Sequence, residues 1–100
     1  MRSHFNLFIY FIPTKYFSHN YKPDEGYVAT AEIAVKIAEA VLKPIYGDKE
    51  IDQEKPLVAT LTKDNVWIVT GTMRPDRKGG VAEIRIDKDK GTILGVTHGQ

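Results

Sequence analysis

The chain contains no cysteine. That excludes disulfide staples, thiolate nucleophiles and cysteine-ligated metal sites in one step, while leaving the compartment open. An excess of charge is missing too, since 14 basic residues stand against 13 acidic ones. The cations Lys36, Lys43, Lys49, Lys55 and Lys63 are interspersed with acids. No continuous field exists to draw in a nucleic acid or an anionic lipid surface, so neither is expected as a partner. Nor is there a run of the roughly 20 apolar residues that a stable membrane span requires.

What remains is an ordinary globular composition, 42% hydrophobic and 27% charged over 100 residues. That is enough for one domain with one modest core. Residues 1–26 differ in character from the rest. Behind Arg2 runs the aromatic-rich segment Phe5–Ile12, stopped by Pro13. It reads as a weak or vestigial signal segment, a loosely packed extension or an edge strand. Export or a periplasmic location follows only if it acts as a signal; otherwise a cytoplasmic location is favoured. Lys22-Pro23-Asp24-Glu25-Gly26 is turn chemistry and marks a boundary. Residues 27–100 then form a single domain.

From Ala29 the apolar period is helical. Ala34, Ile37, Ala38, Val41, Leu42 and Ile45 share one face, and Lys36, Glu39 and Lys43 the other. Thr30 suits the N-cap, and Pro44 predicts a stop or kink near Leu42–Lys43, with Ile45 and Tyr46 folded back as an apolar plug before Gly47. After Pro56 the period becomes two. Leu57, Ala59 and Leu61 fall on one face, Val66 and Ile68 alternate with Trp67 and Val69, and Ala82, Ile84 and Ile86 point inward. Lys63-Asp64-Asn65 and Lys88-Asp89-Lys90-Gly91 are short turns, so consecutive strands are antiparallel neighbours. The fold class is α+β: one N-terminal amphipathic helix covering a four-stranded antiparallel meander.

Catalytic motifs are absent. Asp87–Gly91 lacks the ligand spacing of a calcium loop, and Gly79-Gly80 leads into a strand rather than a helix N-terminus. The histidines His4, His19 and His98 show no metal-ligand spacing, and no carboxylate pair can be assembled from sequence. No cofactor is read. Trp67 is expected in the core or lining a groove, and His98 on the surface or on a binding face.

Several blocks carry a family resemblance: Ala38-Glu39-Ala40 leading to Pro44-Ile45-Tyr46-Gly47, Trp67-Ile68-Val69 with Gly71-Thr72, Gly79-Gly80-Val81, and Val96-Thr97-His98-Gly99. Together they make Tyr27–Gln100 resemble a bacterial family of small immunity proteins from polymorphic toxin systems. That family has the nuclear-transport-factor-like (cystatin-like) fold. A chain with room for one helix implies a trimmed version. The last strands are also similar to PepSY-type domains of inhibitors and sensors outside the cytoplasm. The immunity resemblance implies a non-enzymatic module that neutralises a cognate toxin protein by occlusion, and it carries no catalytic residues. Arg74, Arg77 and Lys78, with Trp67 and His98, are the candidate partner-binding residues. A small-ligand pocket is the rival reading, and the free sheet edge is open to pairing with a second copy.

Overall fold

The computed structural model describes residues 20–99. The run Phe5–Ile12, with His4, His19 and the three readings given to that stretch, lies outside the described residues. Thr30 starts the first helix, α1 (Ala31–Tyr46), and its Oγ1 accepts the Ile33 N–H at 3.2 Å. Glu32 in the first turn suits the positive end of the helix dipole. Ala34, Ala38 and Leu42 are fully buried, and the small alanines bring the helix axis close to the sheet.

Pro44 does not stop the helix. It occupies the last turn, where its missing N–H costs one hydrogen bond but leaves the next residues helical. The stop is Gly47, at φ 99°, whose N–H closes on the Lys43 carbonyl at 2.7 Å. Ile45 is therefore carried outward and is 54% exposed, while Tyr46 packs against the core. One residue further on begins a second helix, α2 (Asp48–Gln53), where the sequence reading allowed for only one helix in the chain. Asp48 and Glu50 favour its first turn electrostatically, and Ile51 is its one fully buried side chain. Lys43 and Lys55 each bridge Glu39 of α1 and Asp52 of α2, at 2.8–3.2 Å, which fixes the angle between the helices.

The strands are β1 (Val58–Leu61), β2 (Val66–Thr70), β3 (Ala82–Asp87) and β4 (Ile93–His98). They form an antiparallel sheet in the order β1-β2-β3-β4. Register aligns Ala59 with Val69, Val69 with Ile84, and Ile84 with Val96, so these side chains share the helix-covered face. Leu57 joins that core, but Leu61, at the far end of the edge strand, is exposed. A bulge between Arg85 and Ile86 shifts the β3–β4 register. The segment before α1 is tied to the β3–β4 turn, with Tyr27 and Val28 donating to the Asp89 and Lys88 carbonyls at 3.0 Å.

Trp67 lies within this core, 7% exposed, and its Nε1–H donates to the Val28 carbonyl at 2.7 Å. The bond fastens the start of α1 to the central strand. Trp67→Phe removes the donor and strands a buried carbonyl, which should lower stability by about 1–3 kcal/mol in urea denaturation. A loss below about 0.5 kcal/mol would show that the bond contributes little.

Candidate functional site

Where β4 ends and the β2–β3 loop folds over, α2 presents two carboxyl groups one helical turn apart. Glu50 and Glu54 thus share a face, Glu54 being the C-cap of the short helix. Glu54 is 1% exposed. Its Oε1 accepts the Ala82 N–H at 2.7 Å, and its Oε2 lies 2.8 Å from His98 Nε2. Its main-chain carbonyl accepts the Thr72 N–H at 2.7 Å. Gly71 makes this approach feasible, because a Cβ there would come within 2.8 Å of Glu54 Cβ. Sequence reading finds no buried acid; the structure supplies one, held between α2 and the first residue of β3.

Glu50 is half-buried at the mouth. Its Oε1 accepts from the Arg77 guanidinium at 2.9 Å, and its Oε2 stands 3.7 Å from His98 Nε2. Hydrogen bonding with Glu54, and then with the Arg77 guanidinium, holds the Glu50 carboxyl down to about 2. His98 places Nδ1 2.9 Å from the Gly99 carbonyl, and its ring lies 4.9 Å from that of Tyr46. Burial opposes the imidazolium, but the bonds to Gly99 and Glu54 and the charges of Glu54 and Glu50 outweigh it and raise the pKa. Tyr46, Glu50, Arg77, Lys78 and His98 border an open groove.

The expected partner-binding residues are thus placed differently from one another. Arg77 and His98 meet through Glu50. Arg74 donates Nε to the Gln53 carbonyl at 2.9 Å and clips the loop onto the end of α2. Lys78 is exposed beside the groove. Trp67 belongs to the core and does not border it. Sequence reasoning missed Glu50 and Glu54. Their spacing of four was visible, but six residues with a single buried apolar one carry no helical period.

Residues 33–100 match the NTF2 fold immunity protein family. The chain belongs to that family. The helix-on-sheet architecture expected from its resemblance to nuclear-transport-factor-like immunity proteins is the one observed. This NTF2 fold immunity protein is 36% identical over 90 residues to the uncharacterized protein YhhH of Escherichia coli strain K12, a stretch covering 89% of this chain and 70% of YhhH. It is 35% identical over 72 residues to the uncharacterized protein YbbC of the same strain, covering 71% of this chain and 58% of YbbC. The chain thus spans somewhat over half the length of YbbC. No solved structure matches it. Among the described residues, no helix is long and apolar enough to cross a membrane.

The cluster makes stability depend on pH in a defined sense. With its folded pKa raised above the ordinary 6.5, His98 stabilises the fold fully below pH 6.5 and loses that contribution as pH rises through the raised value. Glu50, depressed from 4.5 to about 2, contributes above pH 4.5 and loses its effect as pH falls toward 2. Between pH 6.5 and about 9, in EDTA buffer, the unfolding free energy should therefore decline in the native chain, and His98→Gln should flatten that slope. Equal slopes would assign the titration to another group.

Proposed function

We propose that this immunity-family chain is a non-enzymatic binding module that neutralises a cognate toxin of a polymorphic toxin system by covering it. The family match is the observation that carries this reading. The docking surface is the loop 73–80 together with the outer face of the sheet, which no described element covers. By register, Thr60, Ile68 and Arg85 line up across that face, as do Thr70 and Thr97 on either side of Glu83. A standard interface needs about 800 Å² from each partner, and one face of a domain this size suffices. In the loop, Arg74 and Arg77 are spent on internal bonds that set its shape. Lys78 and the exposed Arg85 are the cations best placed to meet acidic groups of a partner and to speed encounter.

The test is protection and affinity together. Cells making the toxin that this chain captures should survive only when the chain is co-produced. Lys78→Glu with Arg85→Glu should weaken the complex by about tenfold or more, mostly through slower association at low salt. Arg77→Glu is a poorer probe because it also breaks the Glu50 pair. Protection with unchanged affinity in the double variant would move the interface elsewhere. Failure to protect against a toxin it binds would refute neutralisation.

A further inference from the structure

Glu50, Glu54 and His98 have one arrangement in common: each uses one polar atom to hold an outer partner and turns the other inward. Glu54 Oε1 takes the Ala82 N–H at 2.7 Å, leaving Oε2. Glu50 Oε1 takes Arg77 at 2.9 Å, also leaving Oε2. His98 Nδ1 faces the Gly99 carbonyl at 2.9 Å, a contact only an N–H can satisfy, leaving Nε2. The inner atoms converge. Nε2 is 2.8 Å from Glu54 Oε2 and 3.7 Å from Glu50 Oε2, and the ligand atoms of the three residues lie within 4.8 Å of one another. With the ring proton on Nδ1, a neutral imidazole presents a lone pair to two carboxyl groups. A single cation at their centre would serve these donors together. A proton on Nε2 is within bonding distance of Glu54 but not of Glu50. A divalent ion serves all three.

We propose that Glu50 Oε2, Glu54 Oε2 and His98 Nε2 form a binding site for a divalent transition-metal ion of the zinc type. One imidazole with two carboxylates is a mixed nitrogen and oxygen donor set, which suits zinc better than magnesium or calcium with their all-oxygen shells. Ligand atoms about 2.0–2.1 Å from a tetrahedral zinc lie roughly 3.3 Å apart. The separations of 2.8 and 3.7 Å straddle that value. The outer bonds are those that ligating histidines and carboxylates use to fix their orientation. Arg77 stays on the outer oxygen of Glu50, beyond the ring of donors. Glu50 and His98 border the open groove, so a fourth position is accessible to water or to a side chain of a bound molecule. The site stands independently of the toxin reading.

The test is calorimetric titration of the full chain, stripped with a chelator, against zinc chloride. One ion should bind per chain. His98→Gln and Glu50→Gln should each weaken binding by at least about tenfold, while His4→Gln with His19→Gln should leave it unchanged. Near-UV circular dichroism from Trp67 checks that each variant is folded. In the native chain the His98 Nε2 nitrogen resonance should shift on zinc addition, with the Nδ1 proton retained. That second readout needs no variant. Absence of binding tighter than millimolar, or an affinity that survives both site substitutions, overturns the assignment. So does a His98 resonance that does not move at saturation.

Discussion

One carboxyl group, that of Glu54, joins the second helix to two strands of the sheet. It sits fully out of solvent at the end of a six-residue helix. A buried carboxyl without partners costs several kcal/mol, so its surroundings have to satisfy it. They do: Oε1 is fixed by the first amide of β3, Oε2 by the histidine closing β4, and its main-chain carbonyl by the residue after Gly71. Among the described residues no buried side-chain polar atom lacks a partner. Three separate parts of the chain are thereby held to one point. Gly71 is the sequence's concession to that point, since any side chain there would occupy the space of Glu54 itself.

The β2–β3 loop inherits its shape from the same corner. Arg74 reaches back to the carbonyl of Gln53, and Arg77 to Glu50, so both bonds land on α2 within a turn of Glu54. Gly80 and Gly99 then pair across the loop and the chain's end, 3.3 Å apart. A surface anchored this way is presented with little left to order on binding, which favours tight association. The loop of the proposed docking surface and the proposed ion site are neighbours because both are anchored on α2.

Much of the fold was legible in the sequence. The 3.6 period of α1, the Thr30 cap, the alternation in β2 and β3 and the turn at Asn65 each state a local preference that packing did not override. Four features were not. Pro44 looked like a helix stop because its missing N–H is a local fact, whereas the actual stop depends on Gly47 adopting a positive φ. Helix α2 was invisible because only Ile51 marks its buried side, and most of its stability comes from packing and from the bridges to α1. The corner itself was invisible for another reason. Glu54 and His98 are 44 positions apart, and neither residue type signals burial or pairing. The arginines of the loop were read as partner-binding residues, since only the three-dimensional arrangement reveals that they bond within the chain.

The account turns on Glu54 as the joint between α2 and the sheet, and equilibrium unfolding of Glu54→Ala measures that most directly. The substitution leaves the Ala82 N–H and His98 Nε2 without their partner and opens a void beneath α2. Stability should fall by about 3–5 kcal/mol, a large share of what a domain of this size has. A loss below about 1 kcal/mol would contradict the account, because surrounding groups or water would then satisfy those atoms as well as Glu54 does.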